Sequence, residues 1–420
     1  MDISRYVSDY VSGGNTYFSV LNPPIQRRPG DYYNFIDWFD ENPLKPWMAA
    51  AYLRDKIEVE GMVAKVGLRL DYYDPSGFTI SDTSDPFITD SVWSNLRTFK
   101  NPKKAKRRWY LSPRIGISHP ISERDVLHFT YGHYFQVPPF NQIISSYVFS
   151  GAFPVIGNAD VKPQKTISYE VGVKHAFTNQ IVLDVTAFYK DIKDWSRLKQ
   201  FKYGLGGGNY STYVNEDWGS VRGLEFSLQK RPGGTFLPYF SGNLTYTFQV
   251  ASGSFSSPWN AYDWMWRGYP LPPYESPLDW DQRHSVLFTV GFNVPKGQTF
   301  LGSRIFSNFG VTLQHYYGSG YPFTPPIHSL RDAIERINSE RLPSYQSTNM
   351  RAYKKFNVGH LSILSYVDIS NLFNRKDLNS PNDIQWYYQF HDPEGEVKDP
   401  TVWRQRRTTR FGIELSLSGF

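Results

Sequence analysis

The sequence contains no cysteine, which excludes disulfide bridges, thiol chemistry and cysteine-ligated zinc or iron–sulfur sites. Methionine is scarce, with five residues in 420, and long helix-forming tracts of alanine, leucine, glutamate and lysine are missing. Aromatic residues are abundant instead, at 17% of the chain. Because aromatic side chains favour strands over helices, this composition predicts a β protein.

Long hydrophobic runs are also absent. No stretch of about 18 apolar residues occurs, so the sequence predicts no transmembrane helix. The mean hydropathy of −0.48 does not argue against strands that cross a membrane, because only alternate residues of such a strand face lipid. Residues 1–18 have no basic segment followed by an apolar segment, so we expect no signal peptide in them. A protein whose strands cross a membrane beyond the cytoplasm must be exported, so for such a protein we expect this chain to be the C-terminal part of a longer exported precursor.

The excess of positive charge is small. Lys and Arg number 45 against 39 Asp and Glu, a net charge of +6 that is spread along the chain. This distribution does not indicate a nucleic-acid partner. No histidine cluster has the spacing of metal ligands, and the glycines at 204–208 lack the Lys-Ser/Thr that follows a phosphate loop. We therefore expect no cofactor, metal or nucleotide site.

The last stretch, residues 404–420, alternates apolar and polar residues, which is the period of a strand with two different faces. Its pattern resembles the C-terminal assembly signal of bacterial outer-membrane β-barrels. The residues that carry this resemblance are Arg410, Gly412, Leu415, Leu417 and Phe420. Phe420 is out of phase with the apolar face, so we expect Leu417 to be the last residue that faces lipid.

The same alternation recurs back to the N-terminal region and predicts about 14 strands, counting Asn15–Leu21. On strand after strand one face is apolar and the other carries full charges, as lipid outside and a polar lumen inside would require. The residues predicted to face lipid include Val66, Leu127, Val171, Leu183, Phe288 and Val311. The residues predicted to line the lumen include Lys65, Arg69, Arg114, Glu170, Lys174, Asp184, Glu225, Asp281, Arg283 and Glu414.

The predicted connections alternate strictly between short and long. The short ones lie near 58–60, 120–123, 177–179, 231–235, 295–301 and 358–360. The long ones lie near 22–45, 73–108, 136–165, 191–214, 251–280, 317–347 and 373–404. Outer-membrane barrels have short periplasmic turns and long extracellular loops. The sequence thus predicts an all-β, antiparallel transmembrane β-barrel over 46–420, preceded by a leading segment, 1–45, with one possible strand.

A set of motifs in order along the chain closely resembles the C-terminal barrel of TonB-dependent outer-membrane receptors, especially those with a carboxypeptidase-regulatory-like N-terminal domain. The motifs are AAYLRDKIEVEGMVAKVGLRLDYYDP, SPRIGISHPISERDVLHFTYGHYFQVPPF, GNADVKPQKTISYEVGVKH, DVTAFYKDIKDW, VRGLEFSLQKR, DWDQRHSVLF, SGYPFTPP and NLFNRKDLN. The resemblance implies a barrel of about 22 strands, of which this chain would supply about 14. It also implies a plug domain and a TonB-binding segment, and neither is visible in this sequence.

The resemblance implies a receptor for TonB-dependent nutrient uptake in the outer membrane of a Gram-negative bacterium. Its partners would be membrane lipid, lipopolysaccharide, the barrel-assembly machinery and, through the missing N-terminal parts, TonB. Two alternatives remain open from the sequence. One is a self-contained porin-like channel of about 14 strands, since an even strand number permits closure. The other is a soluble carbohydrate-binding β protein, which the many aromatic residues suggest.

The motif DWDQRH places Asp279, Asp281, Arg283 and His284 close together. Two nearby carboxylates are one arrangement for acid–base catalysis. The alternation, however, places Asp281 and Arg283 on one strand face and His284 on the other. We therefore expect an ion pair within the barrel and no enzymatic activity.

Two predicted long loops are rich in aromatic residues, which suit stacking on sugar rings or on apolar and peptide side chains. The candidate ligand contacts are Trp259, Tyr262, Trp264, Trp266, Tyr269, Trp386, Tyr387 and Tyr388. The alternative is an interfacial aromatic girdle together with packing inside the loop. A basic run at 97–108 suits an anionic siderophore or lipopolysaccharide phosphates. Leu330, Ala333, Ile334 and Ile337 recur at helical spacing, so a short helix that packs on its neighbours is predicted at 329–337. The ligand is expected to be a small molecule, glycan or peptide, with preference for an oligosaccharide or peptide-like nutrient.

Overall fold

The computed structural model describes residues 46–86, 100–144, 146–147, 155–204, 208–325, 327–377 and 404–417. The strands in this part of the chain are β1 (Trp47–Val59), β2 (Met62–Asp74), β3 (Phe78–Thr79), β4 (Lys103–Lys104), β5 (Arg108–Pro120), β6 (Asp125–Gln136), β7 (Ser146–Tyr147), β8 (Val155–Ile156), β9 (Gln164–Ala176), β10 (Ile181–Tyr203), β11 (Gly208–Lys230), β12 (Phe240–Gly253), β13 (Ser276–Pro277), β14 (His284–Val294), β15 (Phe309–Gly318), β16 (Pro322–Phe323), β17 (Glu340–Arg341), β18 (Tyr345–Val358), β19 (Leu361–Ser370) and β20 (Thr408–Leu417). The helices are α1 (Phe140–Ile144), α2 (Pro258–Trp266), α3 (Leu330–Glu335) and a 3-10 helix at Arg304–Phe306.

Among these residues, thirteen long strands form one continuous antiparallel path, β1-β2-β5-β6-β9-β10-β11-β12-β14-β15-β18-β19-β20. Each neighbour in the path is also the next long strand in the sequence, so the sheet is an up-and-down meander. The predicted antiparallel all-β fold is confirmed. The remaining predicted strand, Asn15–Leu21, lies outside the described residues. Within the described part, β1 and β20 form the two edges of the sheet and do not pair with each other.

The strand registers separate the residues of the sheet into an apolar and a polar face, as the alternation predicted. On β9, the apolar-face residues Tyr169 and Val171 are 42% and 48% exposed. The polar-face residues beside them, Ser168 and Glu170, are less exposed. Val171 lies opposite Phe129 on β6 and Ala187 on β10, so the apolar face continues across strands. A soluble sheet hides its apolar face in a core. Here that face is exposed, which is the arrangement of a barrel wall in lipid.

Gly412, part of the predicted assembly signal, has a packing role on the polar face of β20. It lies opposite Tyr366 of β19. A side chain at this position would place its Cβ 2.2 Å from the Tyr366 ring, so only glycine leaves room for the aromatic ring to cross the strand.

Two predicted connections were wrong. The segment 191–214 is not a long loop, because β10 and β11 continue through it as a hairpin of two 23-residue strands. The hairpin extends past its neighbours: β9 pairs with β10 only as far as Lys193, and β12 pairs with β11 only from Gly219. The turn predicted at 295–301 is longer than expected, because it continues to Asn308 and contains the 3-10 helix.

Most of the fully covered side chains lie at the long-loop end of the molecule. Two small hydrophobic clusters there join the projecting hairpin to the loops around it, and a third joins the loop after β12 to the loop after β15. Val155 and Ile156 of β8 form a parallel pair with Ser211 and Thr212 of the hairpin. The apolar side chains of a barrel wall contact lipid and form no protein core. Side chains of this chain therefore pack against one another mainly in the loop layer. No helix in the described part is long and apolar enough to span a membrane.

Candidate functional site

The loop that follows β12 contains α2, a helix that sequence reasoning missed. Ser257 caps it, with its side-chain oxygen accepting a hydrogen bond from the Asn260 amide, and Pro258 occupies the first turn. A serine followed by proline is a typical helix start and was the available signal. Tyr262 on one side of α2 packs with Leu198 and Tyr213 of the projecting hairpin. The aromatic loop is therefore a rigid element that rests on the hairpin.

The opposite side of α2 packs against the loop between β15 and β18. Trp264 joins Phe255 in a cluster with Ala333 and Ile337. The predicted helix at 329–337 is confirmed as α3, with Ser329 as its cap. Ala333 and Ile337 pack as the spacing predicted, but Leu330, which has the same spacing, is exposed. The two loops thus meet through their aromatic and aliphatic residues.

A cavity of about 720 Å3 lies between these two loops. Its walls combine the faces of Trp264 and Tyr269 with amide, hydroxyl, carboxylate and imidazole groups. The residues that line it are Phe255, Ser256, Asn260, Asp263, Trp264, Arg267, Tyr269, Ser276, Asp279, Thr324, Pro325, Ile327, His328, Ile337 and Asn338. An aromatic wall beside directional polar groups is typical of a site for a small polar ligand.

The charges in this cavity are largely satisfied by neighbours. Arg267 donates from Nε to an Asp263 carboxylate oxygen at 2.8 Å. The Asp279 carboxylate accepts hydrogen bonds from Asn338 at 2.7 Å and from Asn260 at 3.2 Å. The charged groups of the lining are therefore two carboxylates, Asp263 and Asp279, and one guanidinium, Arg267. Such a site suits a neutral, hydroxyl- or amide-bearing ligand better than a strongly anionic one.

The structure brings only some of the predicted ligand contacts to this cavity. Trp264 and Tyr269 line it, with ring centroids 5.1 Å apart. Trp259 contacts Tyr262 edge to face on the hairpin side, and Trp266 is 51% exposed and is not among the lining residues. The candidates Trp386, Tyr387 and Tyr388 lie outside the described residues.

The predicted ion pair in DWDQRH is confirmed: Arg283 Nη2 lies 2.9 Å from Asp281 Oδ2. Asp281 is fully buried and also accepts a hydrogen bond from the Ala251 amide at 2.8 Å. Sequence reasoning missed a further partner, Arg341, whose guanidinium contacts the Asp281 carboxylate, the Asp281 carbonyl oxygen and the Gly320 carbonyl oxygen. Asp281 therefore connects the loop after β15 to the segment that immediately precedes β14.

His284, the last residue of the same motif, lies on the apolar face as expected. Its ring stacks on Tyr246, with an interplanar angle of 12°, and Tyr246 Oη lies 2.9 Å from His284 Nδ1. Because His284 and Asp281 lie on different faces, the motif does not assemble a histidine–carboxylate pair.

The predicted lumen residues share one face of the sheet. Register places Lys65, Gly116, Thr130 and Glu170 in one row across four strands. Some charges on this face are paired: Lys174 Nζ lies 3.1 Å from an Asp184 oxygen, and Arg351 Nε lies 3.6 Å from Asp368. Within the described residues, Glu170, Glu225 and Glu414 take part in no ion pair. Whether this face lines a lumen in the assembled protein stays a prediction.

The basic run at 97–108 is partly neutralised in the described portion. Lys100 pairs with Asp85, Arg107 with Asp74 and Arg108 with Asp160. Arg108 also donates to the Asp160 carbonyl oxygen at 2.8 Å, so it holds two loops together. These contacts reduce the positive charge that remains for an anionic ligand.

The projecting part of the hairpin contains a buried acid. The Asp217 side chain is 1% exposed, and Arg197 Nη1 lies 3.6 Å from its Oδ1. Burial raises the pKa of Asp217 to about 6, and the lowering effects of Ser254 and Arg197 offset only part of this rise. The base of the projecting part therefore contains a carboxyl group that changes charge in mildly acidic solution.

Comparison with known proteins agrees with this architecture. Residues 4–372 match the family described as TonB dependent receptor-like, beta-barrel. No curated protein sequence matches the chain. Among solved structures, the chain is similar to a double mutant of the hemophore receptor HasR of Serratia marcescens with its hemophore HasA and heme, at 16% identity and TM-score 0.52, over 88% of this chain and 51% of that one.

The fold is also similar to the siderophore receptor PirA from Acinetobacter baumannii, at 14% identity and TM-score 0.51, over 89% of this chain and 54% of that one. A mutant of the ferric enterobactin receptor PfeA from Pseudomonas aeruginosa gives 12% identity and TM-score 0.51, over 89% of this chain and 53% of that one. The chain thus spans about half the length of these structures, and at such identities the likeness concerns the fold. On the family match over most of its length, the chain belongs to the TonB-dependent receptor β-barrel family.

Proposed function

We propose that this chain forms the wall and the ligand-binding loop layer of an outer-membrane receptor for nutrient uptake. The observation that supports this most directly is the pair of faces on one meandering sheet, apolar and exposed on one side and charged on the other. The apolar face contacts lipid, and the charged face lines a water-filled path. The long loops lie at one end, outside the cell, where lipopolysaccharide surrounds them.

The energy for transport comes from TonB, acting through a plug domain in parts of the receptor that this sequence does not include. In this proposal the barrel region is 46–420, and the segment 1–45 leads into it. The barrel-assembly machinery reads the signal in β20. A receptor without enzymatic activity is supported by the contacts of Asp281, because this carboxylate, which had a possible acid–base interpretation, is paired with Arg283 and Arg341.

The ligand class follows from the cavity between the β12–β14 and β15–β18 loops. Trp264 and Tyr269 offer aromatic faces, while Asn260, Asn338 and Asp279 offer directional hydrogen bonds. Since one of the two carboxylates is paired with Arg267, the cavity favours an uncharged ligand with many hydroxyl or amide groups. We therefore infer that the nutrient is an oligosaccharide or a peptide-like compound, rather than an anionic iron complex.

A growth comparison tests this proposal. A strain that carries the complete receptor gene and a deletion strain are grown on a panel of oligosaccharides, on peptide mixtures, and with ferric citrate under iron limitation. We expect the deletion to impair growth on at least one oligosaccharide or peptide source and not with ferric citrate. A defect confined to the iron condition, or no defect at all, contradicts the proposed ligand class.

Point variants connect the growth result to the cavity. Tyr269→Ala removes one aromatic wall, and Trp266→Ala is the control because Trp266 is exposed outside the cavity. We expect Tyr269→Ala to raise the nutrient concentration needed for half-maximal growth by about tenfold, as the loss of a well-packed aromatic contact would. Equal behaviour of the two variants would remove this cavity from the binding site.

A further inference from the structure

A second depression lies on the polar face of the sheet, far from the loops, where β1, β2 and β5 run side by side. Its floor is made by Gly67 and Gly116. A Cβ at Gly116 would meet no atom within 4 Å, and one at Gly67 would meet only atoms at 3.5 Å or beyond. The two glycines leave an open notch of about 450 Å3 between the longer side chains around them.

The charged residues that line this notch are all cations. They are Arg54, Lys65, Arg69 and Arg114, and the lining contains no Asp or Glu. Only Arg69 has a carboxylate partner, Asp71, at 2.8 Å. In the described part of the chain, no carboxylate lies within ion-pair distance of the other three side chains. Arg114 instead lies against the Tyr134 ring, 4.7 Å from its centroid, which holds the guanidinium above the floor.

The strand registers explain how these cations meet. Gly67 lies between Arg54 on β1 and Arg114 on β5, directly opposite each of them. Two strand spacings separate the two arginines, about 10 Å, which their side chains span easily from both sides. Lys65, two residues from Gly67, is on the same face and lies directly opposite Lys56. Like charges opposite each other destabilise a sheet. Glu58 pairs with Lys56 and offsets its charge, so the cations of the notch without a carboxylate partner in the described part are Arg54, Lys65 and Arg114.

At two other places on this face a cation has a carboxylate partner. Lys174 pairs with Asp184, and Arg351 pairs with Asp368. The notch differs from these two places because several cations surround an open floor and no acidic residue lines it. Arginine forks recognise carboxylate and phosphate oxygens in pairs, and lysine adds a point charge.

We propose that this notch is a binding site for an anion that carries carboxylate or phosphate groups, with Arg54 and Arg114 gripping it from two sides and Lys65 completing the site. The anion reaches the notch through the lumen, so this inference rests on the proposed orientation of the polar face. The same chemistry has two sources: a small anion that travels through the barrel, or an acidic side chain of a polypeptide segment that lies inside it.

Titration of the complete receptor, purified in detergent, tests the site with citrate and inorganic phosphate as probes. Binding is measured by calorimetry for the native receptor, for Arg54→Gln/Arg114→Gln and for Lys65→Gln. The control is Arg351→Gln, which removes a cation from the same face where a carboxylate already pairs with it. We expect citrate to bind the native receptor and the control alike, and to bind the double variant at least tenfold more weakly. Equal citrate binding by all variants overturns the proposal.

Zero-length carbodiimide cross-linking identifies the source of the anion. If a polypeptide carboxylate occupies the notch, citrate does not bind and peptide mapping finds Lys65 joined to an Asp or Glu side chain. If a small anion occupies it, citrate binds and protects Lys65 from modification. If citrate does not bind and Lys65 forms no cross-link, the proposed site is wrong. Both measurements use purified receptor without transport, so this inference and the proposed uptake function fail independently.

Discussion

At the scale of single residues, Asp281 is a central residue for the stability of the loop layer. Its buried carboxylate holds Arg283 and Arg341 and accepts the Ala251 amide. We predict that Asp281→Asn lowers the free energy of unfolding by about 3–5 kcal/mol, because it leaves partly buried cations without their counter-charge. Urea unfolding of the receptor in detergent measures this, and trypsin cleavage in 319–344 reports release of the loop.

The matched control for Asp281 is Asp263→Asn, which breaks the pair with Arg267. Both side chains of that pair are at least half exposed, so its loss changes stability by less than about 1 kcal/mol. If the two substitutions have the same effect, Asp281 does not fasten the loop.

Asp217 gives the projecting hairpin a predicted pH dependence. Its folded pKa of about 6 exceeds the ordinary value of 3.8, so the folded state binds the proton more tightly than the unfolded state does. The stabilising contribution is therefore complete below about pH 4 and is lost as the pH rises through about 6. The shift corresponds to about 3 kcal/mol at most.

Denaturant midpoints at pH 4.5 and pH 7.5 measure this effect. We expect the native receptor to lose stability between the two pH values by more than the Asp217→Asn variant does, and the variant to be the more stable of the two at pH 7.5. If the stability of the Asp217→Asn variant depends on pH as that of the native receptor does, groups other than Asp217 cause the pH dependence.

At the scale of strands and helices, the alternation predicted the long strands because each has one apolar and one polar face. It failed at the tips of β10 and β11, where loops cover both faces and the period disappears. Tyr210 and Tyr213, an odd number of positions apart, are both buried there. It also missed α2, because a nine-residue helix rich in tryptophan and tyrosine has a weak apolar stripe. Only the Ser257–Pro258 cap signalled it.

Adjacent residues on β14 test the assignment of the faces. Phe288 lies opposite Leu244 and His315 on the apolar face, and Thr289 lies opposite Asn243 and Gln314 on the polar face. We predict that Phe288→Arg costs about 2–4 kcal/mol for a site near the middle of the membrane, and that Thr289→Arg costs little. Folding titrations into lipid vesicles measure both, and the reverse order would exchange the two faces.

The apolar face of β20 is predicted to carry the assembly signal. Leu417 is 75% exposed beside its cross-strand partner Leu361, whereas Ser416 is on the polar face opposite Ser362. Leu417→Asp should remove most of the heat-modifiable barrel from the outer membrane, because it places a charge on the apolar, lipid-facing side of the strand that the assembly machinery binds. Ser416→Asp is the control, and equal yields from both variants would contradict the predicted signal.

At the scale of the whole molecule, the sequence predicted the family and the sheet but not the cavity. Its walls come from residues about 60 positions apart, such as Asp279 and Asn338, and only folding brings them together. The aromatic loop was recognised from composition. Which of its rings face the cavity depends on α2, whose two sides send Tyr262 to the hairpin and Trp264 to the second loop. The basic notch likewise depends on strand register, which alternation alone does not fix.

The number of strands decides between a receptor and a self-contained channel. Along the described path β1 and β20 are separated by an even number of steps, so they run in the same direction. Direct pairing of the two would be parallel, and an antiparallel ring needs an odd number of further strands between them. The predicted strand at 15–21 would suffice for a closed ring of about 14 strands, whereas a ring of about 22 strands needs more.

Cysteine pairs distinguish these two rings, and since residues 1–420 contain no cysteine, each cross-link within them joins the two introduced positions. In the smaller ring the segment 15–21 lies against β20, so pairs that combine Phe18→Cys with cysteines placed along 410–417 would include one within disulfide reach. We predict that none of them cross-links in the assembled receptor, because further strands intervene. The positive control is Ser365→Cys with Ile413→Cys, which lie directly opposite each other on β19 and β20. Oxidation followed by gel electrophoresis reads the result. A specific cross-link from Phe18 to β20, formed as readily as the control, would show that the chain closes on itself and would favour the channel.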